Sequence, residues 1–440
     1  MLSPEQIKNA VNEHEKKLAH YQNLKNYYIG KHAILNRVLD DPLKPNNKIV
    51  VAYPTTIIDT AVSYLAGNPL TYSSRTNNEL FLNRLKEIFY INNEEDVNTK
   101  IVKNMSIFGK TYELFWISDK DGEDLRFAEY SPLEMHVKTD SKGNVIYAVR
   151  PWKEKDANGN DITKVEAYDS NRIYYYASDG NGNFTLDPNE PVIDHYFGET
   201  PVNIYINNDE EIGDFEQFIQ MIDGIEKLLS DNSNEIEQWV NSYLKLGKAK
   251  GTKPEDILKM RQDGVLLLED VKDAEFLEKN VNTEFQRNYF ETLDILIHEH
   301  SGTPKMTAEK FSSNLSSSAL NYKLFNLESK SMVKERKMTR GLKKRIKFIC
   351  TYLSKQGLNY NPLDLTFSFS RNVPPNRAEI TDMMVKLAPY LDRRTLLSMH
   401  PDITDVDLVL KRLKEEGDAM DLENIIRKNR NILSGVNSDE

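Results

Sequence analysis

The chain of 440 residues contains a single cysteine, Cys350. One cysteine excludes an intrachain disulfide and a multi-cysteine zinc site, which indicates synthesis in a reducing cytoplasm. Cys350 itself is predicted to pack in a core. Long apolar runs are also missing, since the longest, such as 264–268, are too short to cross a bilayer. The first residues suit a capped helix rather than a signal peptide, so no membrane partner is predicted.

Sequence motifs for nucleotide and metal chemistry are missing as well. No glycine-rich phosphate loop follows a predicted strand. His298 and His300 are two residues apart on a predicted helix, so their rings point about 200° apart and cannot share a metal. Pairs of neighbouring Asp and Glu residues lie at predicted loops or helix starts, where their negative charge interacts favourably with the helix dipole. We therefore predict no enzymatic activity, no cofactor and no metal site, although a carboxylate cluster assembled by folding would leave a metal-dependent nuclease open.

A local excess of positive charge stands out against this background. The chain carries a formal net charge of −11, yet residues 305–347 hold twelve Lys and Arg against three Asp and Glu. A cationic strip in an acidic protein favours contact with a polyanion, of which nucleic acid is the commonest.

The strip coincides with one long predicted helix, 319–353. An apolar line on one side is predicted to be buried, and a basic line nearly opposite to meet solvent or phosphate. A solvated helix face and a subunit interface remain alternatives for the basic line. The apolar line is Leu320, Leu324, Leu327, Met338, Leu342, Ile346, Ile349 and Leu353, and the basic line is Lys330, Lys334, Lys337, Arg340, Lys344 and Lys347.

The remaining pattern predicts an α+β, mainly α fold. Helices that are predicted to stop at Gly30, Gly67 and Gly109 fill residues 1–110, with one short strand at 49–53. Alternation and turn clusters predict a small antiparallel β module at 111–206. Long helices at 213–242 and 283–301 flank a strand–helix–strand unit at 243–282, with its helix at 254–261 and a strand at 265–268. A strand at 365–369 and helices to about residue 432 complete the chain.

Several separate segments along the chain carry a resemblance to a known family: 27–35, 45–51, 53–60, 64–69, 211–216, 222–223, 243–246, 264–268 and 302–304. In these segments the chain resembles portal proteins of tailed bacteriophages, the head–tail connectors, in the branch typical of long-tailed phages of Gram-positive hosts. The similarity extends over nearly the whole chain and is weakest in the β module and at the C-terminus.

The resemblance implies a dodecameric ring at one capsid vertex, assembled in the host cytoplasm and retained in the virion. It divides the chain into a wing at 1–212 (helical 1–110, β-rich 111–206), stem helices at 213–242 and 283–301, and an α/β clip at 243–282. A tunnel loop at 302–318, a long wing helix with a closing strand at 319–375, and a crown with the C-terminal tail at 376–440 follow.

The same resemblance implies a channel for packaging and ejecting double-stranded DNA without regard to sequence. Its partners would be further copies of the chain, the terminase large subunit, a head-completion or adaptor protein, and the major capsid and scaffolding proteins. Flexible hydroxyl-rich residues of the loop suit yielding contact with DNA, although a plain solvated loop is the alternative. The loop candidates are Lys305, Lys310, Ser312, Ser313, Asn314, Ser316, Ser317 and Ser318.

Two other functions stay open at this point. A nucleic-acid enzyme such as a metal-dependent nuclease would cut DNA when supplied with divalent ions. A capsid-associated adaptor would use the basic helix to bind an acidic protein.

Overall fold

The structure is a computed structural model that describes residues 2–41, 44–118, 124–155, 159, 161–179, 182–240, 244–246, 255, 274–276, 283–305, 317–373, 377–400, 403 and 406–416. These residues form two compact units. The first takes in the described parts of 1–305 and 324–372, and the second those of 306–323 and 373–440. Across the described ranges, every helix is too short or too polar to cross a membrane.

Helices and antiparallel strands alternate as the α+β, mainly α prediction requires, and that prediction is confirmed. The helices are α1 (Pro4–Tyr28), α2 (Tyr53–Ala66), α3 (Glu79–Asn92), α4 (Glu94–Phe108), α5 (Ile219–Val240), α6 (Thr283–Ser301), α7 (Ser317–Lys355), α8 (Arg377–Leu387), α9 (Arg393–Ser398) and α10 (406–416). The strands are β1 (Thr71–Ser74), β2 (Lys110–Ser118), β3 (Asp124–Tyr130), β4 (His136–Thr139), β5 (Val145–Lys155), β6 (Asp161–Tyr168), β7 (Arg172–Ser178), β8 (Phe184–Leu186), β9 (Ile193–Asp194), β10 (Val202–Ile206), β11 (Leu244–Leu246), β12 (Ala274–Phe276) and β13 (Leu365–Ser368).

The predicted β module consists of two sheets. Strands β10, β2 and β3 form one, and β4, β5, β6, β7 and β8 follow one another in the other, with β9 paired to β7. Two short pairs lie outside the module: β11 with β12, and β1 with β13. The strand predicted at 365–369 thus pairs with β1, which the sequence pattern did not indicate.

Helix ends follow the local sequence. The Ser3 hydroxyl accepts from the Gln6 amide, and the Gln6 side chain accepts from the Ser3 amide, so α1 begins with a complete capping box. The predicted stops at Gly30, Gly67 and Gly109 are all confirmed, because α1, α2 and α4 end within two residues of them. Gly109 needs a positive φ of 81°, and a Cβ there would lie 1.8 Å from the Glu211 carbonyl oxygen.

The apolar line of the long helix α7 packs into the largest core. Met338, Leu342, Ile346, Ile349 and Leu353 are buried against residues of α3, α4, β2 and β3. Cys350 is buried in the same core, and burial raises the pKa of its thiol to about 12. The predictions for the apolar line and for Cys350 are therefore confirmed within the first unit.

A fully buried arginine lies in the same row of α7. Arg345 Nε donates to Glu113 Oε1 of β2 at 2.7 Å, and its Nη1 donates to Glu94 Oε1 of α4 at 3.1 Å and to Asn98 Oδ1 at 2.8 Å. Tyr205 of β10 also donates to Glu113. Burial alone raises the pKa of Glu113, and the charge of Arg345 opposes that effect. One side chain thus joins α7 to both a helix and a sheet.

Close backbone approach fixes the same helix against β10. A Cβ on Gly341 would lie 2.2 Å from the Tyr205 ring, so only glycine fits at this crossing. Asn203 Nδ2 donates to the Gly341 carbonyl oxygen at 2.8 Å beside it. The position of α7 on the β module is therefore set by contacts at neighbouring residues of one turn.

The strand predicted at 49–53 is wrong. Residues 47–51 form no strand, and α2 begins at Tyr53. Alternate amides of this segment donate instead to side chains of α5: Asn47 to Asn234 at 2.7 Å, Ile49 to Ser230 at 2.9 Å and Val51 to Glu226 at 3.0 Å. The alternate amides meet side chains one turn apart on α5, because two residues of extended chain rise about as far as one turn of helix.

Side chains complete this joint between α5 and the N-terminal helices. His32 Nε2 donates to the Tyr27 carbonyl oxygen at 2.7 Å, and its Nδ1 contacts the Glu226 carboxylate, where both side chains are buried. Burial lowers the pKa of His32, but the bonds to Glu226 and Tyr27 outweigh that effect and raise the pKa overall. The Tyr27 hydroxyl donates to Asp223 at 2.6 Å one turn away.

The second unit is helical in its described parts, as predicted for the C-terminal region. Asp392 caps α9 by accepting from the Thr395 amide at 3.0 Å. Arg394 of α9 pairs with Asp407 of α10 at 2.9 Å, with both side chains exposed.

Replacing Arg345 by methionine is expected to lower the free energy of unfolding by about 3–5 kcal/mol, because Glu113 and Glu94 would stay buried without their cation. Arg75→Met, at an exposed arginine of the first unit, is the matched control and should change it by less than about 0.5 kcal/mol. Denaturant unfolding of the two variants checks this. An equal loss of unfolding free energy in the two variants would contradict a stabilising role for the ion pairs of Arg345.

The His32–Glu226 contact is expected to make stability depend on pH. Because the pKa of His32 is raised in the folded state, the pair contributes fully below the unfolded value of about 6.5 and is lost as pH rises through the folded value. The stability difference between wild type and His32→Gln should therefore shrink with rising pH. His20→Gln, at an exposed histidine, is the control. A difference independent of pH would contradict the prediction.

Candidate nucleic-acid interface

Five of the six residues on the predicted basic line are engaged within the chain. Lys334 is buried, and its Nζ donates to Ser106 Oγ at 2.6 Å and pairs with Asp214. Lys337 pairs with Asp209. The expectation that Lys334 meets solvent or phosphate is therefore wrong, because its charge is already neutralised by the segment between β10 and α5.

The remaining lysines of the line follow the same pattern. The Glu199 carboxylate forms ion pairs with Lys344, at 3.7 Å, and with Lys347, at 2.7 Å. Burial lowers the pKa of Lys344, and the charge of Glu199 opposes this. Lys330 Nζ donates to the His300 carbonyl oxygen at the end of α6, at 2.6 Å. The basic line therefore joins α7 to α4, α6 and the loops on either side of β10.

A different set of cations on α7 remains accessible. Arg340 from the predicted line, together with Arg336 and Lys343, is exposed. Among the described residues, none of the three has a hydrogen-bonding or ion-pair partner. Their spacing of four and three residues places them on one side of the helix. The sequence offered that spacing, but the longer row of lysines obscured it.

Arg345 was also missed as a structural residue. It lies in phase with Leu342 and Ile349, so a charge within the apolar row was the available signal of a buried pair. No signal in the sequence identified Glu94 and Glu113 as its partners, since these lie more than 200 residues away.

The predicted tunnel loop is described at its two ends. Lys305 pairs with Asp294 of α6, whose carboxylate also accepts from the Tyr53 hydroxyl at 2.6 Å. Burial raises the pKa of Asp294, but the bonds from Lys305 and Tyr53 outweigh it and lower the pKa overall. Ser317 and Ser318 belong to the first turn of α7 rather than to the loop. Lys310, Ser312, Ser313, Asn314 and Ser316 lie outside the described residues.

Helices α5 and α6 correspond to the predicted stem, and both are acidic. Together they carry nine Asp and Glu against two Lys and Arg. Five of these carboxylates are bound to other segments of the first unit: Asp223, Glu226, Asp231, Glu237 and Asp294. Glu284, Glu291 and Glu299 of α6 are exposed. Negative charge thus dominates the accessible surface of this helix.

Metal-binding geometry is not found in the part of the chain that the structure describes, where no group of three or more His, Cys, Asp or Glu could hold an ion. His298 Nδ1 donates to the Thr303 carbonyl oxygen at 2.9 Å, which fixes the end of α6. Of the predicted clip, β11 and β12 are described as an antiparallel pair, and its predicted helix at 254–261 and strand at 265–268 are not.

The chain is similar to known phage proteins over most of its length. The family model for phage portal proteins of the SPP1 Gp6-like kind matches residues 7–421. The portal protein of Bacillus phage SPP1 is 24% identical over 397 residues, covering 86% of this chain and 78% of that protein. The portal protein of Clostridium phage phiCD119 is 22% identical over 422 residues, covering 89% and 91%. These matches favour a portal role over a nuclease or an adaptor.

A match of this extent, on the α+β architecture and acidic helix pair described above, decides the family. The chain belongs to the SPP1 Gp6-like family of phage portal proteins.

Proposed function

We propose that twelve copies of this chain close into the ring that a phage portal forms at one capsid vertex, with duplex DNA passing through its centre during packaging and ejection. Family membership supports a homo-oligomeric ring with capsid and terminase partners. The number twelve and the course of the DNA are our proposal.

The acidic pair of stem helices carries the proposal of a DNA channel. The exposed carboxylates of α6, Glu284, Glu291 and Glu299, outnumber its one exposed cation, Arg287, which pairs with Glu291, and this excess of negative charge would repel phosphate. A surface that binds few phosphates holds DNA weakly at any sequence, because each phosphate contact adds to salt-dependent retention. Internal pairing of the α7 lysines acts in the same direction, since it removes cations that would otherwise clamp the duplex.

The anchored ends of the loop suggest how DNA contact is made. We place residues 305–318 closest to the DNA, with Lys310, Ser312, Ser313, Asn314 and Ser316 as contacts to the backbone. Lys305 fixes one end to α6, and α7 begins the other.

The remaining assignments follow the same proposal. The wing would comprise residues 1–212 with the long helix and closing strand, the clip 243–282, and the crown 376–440. The terminase large subunit and a head-completion protein would bind the ring from outside the capsid, and the major capsid and scaffolding proteins would surround it. The chain would assemble in the host cytoplasm and have no catalytic centre of its own, because a separate motor would supply the energy for translocation.

Negative-stain electron microscopy of the purified chain is expected to show annular particles with a central hole, and averaged views should show twelvefold symmetry. A chain that remains monomeric at high concentration would contradict the ring. Rings of another symmetry would contradict only the number twelve.

Reversing the exposed charges of α6 is expected to make the channel retain DNA. The variant Glu284→Lys, Glu291→Lys and Glu299→Lys should form rings yet package less DNA, with a defect that weakens as salt is raised, because new phosphate contacts are screened.

The matched control is Glu5→Lys, Glu15→Lys and Glu190→Lys, at exposed residues away from the stem, and it should package normally. Packaging by the α6 variant at the wild-type level would contradict a channel-facing α6.

A further inference from the structure

The outward side of α7 exposes apolar side chains. Phe325 is 65% exposed, Met332 45% and Val333 43%. Their spacing places them within about 100° of the helix circumference. The opposite side of the same helix is already buried in its own core, so these side chains have no place in the fold of one copy. Single exposed apolar residues are ordinary, but a row of three on one side of a helix marks a contact surface.

The same side continues as a basic surface toward the C-terminus of the helix. Arg336, Arg340 and Lys343 lie in line with the apolar row and are exposed. Within the described ranges they make no ion pair, whereas the lysines on the adjacent side are paired. The outward surface of α7 over 325–343, the α7 stripe, is therefore apolar at one end and cationic at the other.

A groove with complementary properties lies elsewhere on the first unit. It has a volume of about 740 Å³ and runs between β1, α3 and the start of α4. Leu70, Tyr72, Leu82, Phe89 and Tyr90 supply its apolar wall, and the Tyr90 side chain is 87% exposed. We call this the α3 groove.

The α3 groove carries two exposed carboxylates at its edge, those of Glu95 and Asp96. Asp96 pairs with Lys100 at 2.6 Å, and Lys86 also lines the groove. Among the described residues the Glu95 carboxylate has no ion-pair partner. The groove therefore offers an accessible negative charge beside its apolar wall, opposite in sign to the cations of the α7 stripe.

We infer that the α7 stripe of one copy binds the α3 groove of the next and so forms one of the contacts that close the ring. This inference rests on the proposed ring. A ring of identical copies needs two different, complementary surfaces on each copy, because its contacts run head to tail. The apolar row would fill the groove, and the three cations would face Glu95 and Asp96, so that opposite charges set the register.

Paired charge reversals test this contact. The stripe variant is Arg336→Glu with Lys343→Glu, and the groove variant is Glu95→Lys with Asp96→Lys. Each alone should lower the fraction of chain in rings at least tenfold, because like charges would meet at every contact. Mixed in equal amounts, they should restore rings of alternating copies, since each reversed stripe then meets a reversed groove. Mass photometry and negative-stain images give the ring fraction.

The control variant is Lys16→Glu with Lys153→Glu, which lowers the net charge by the same amount as the stripe variant. Both positions are exposed, on α1 and β5, and the change should leave rings intact. Thermal unfolding followed by circular dichroism verifies that each variant folds. Loss of rings that mixing does not restore would overturn the pairing of these two surfaces. Normal rings from the stripe variant with reduced DNA packaging would overturn it too, and would assign the cations to DNA. A wild type without rings would instead refute the proposed ring.

Discussion

A buried charge cluster fixes the long helix on which the rest of the first unit is arranged. Arg345 binds Glu113 of β2 and Glu94 of α4 in a site without exposed surface. A buried ion pair gives little net stability, but an incomplete one is costly, so α7 is held in the registry that gives both Glu113 and Glu94 their cation. Gly341 adds a steric limit one turn away. The registry of α7 decides which of its side chains stay outside.

That registry separates the cations of α7 into two groups with different consequences. One group forms ion pairs with carboxylates of its own chain and holds the helix to the β10–α5 region: Lys334, Lys337 and Lys347. Arg336, Arg340 and Lys343 remain outside. A protein that passes DNA through a channel has to avoid binding the DNA tightly. Ion pairs within the chain neutralise the lysines of α7, so a lysine-rich helix does not produce a lysine-rich channel.

Local patterns in the sequence predicted the helices well, and they failed where the answer depended on distant partners. The capping box at Ser3 and the apolar line of α7 are read from neighbours a few residues apart, and both are confirmed. Residues 47–51 alternate like a strand, but their amides bind a helix more than 170 residues away. The basic line was misjudged for the same reason, since Asp214 and Glu199 are over 100 residues from their lysines.

In one protomer the α7 lysines hold the helix to its own chain, and we propose that the acidic helices α5 and α6 face the DNA in a ring. A cryo-electron microscopy map of the assembled particle shows both contacts at once. We expect a closed ring in which Lys334 still contacts Asp214 and in which α5 and α6 border the channel. A ring in which those lysines are released from their carboxylates and turned toward the channel would contradict it.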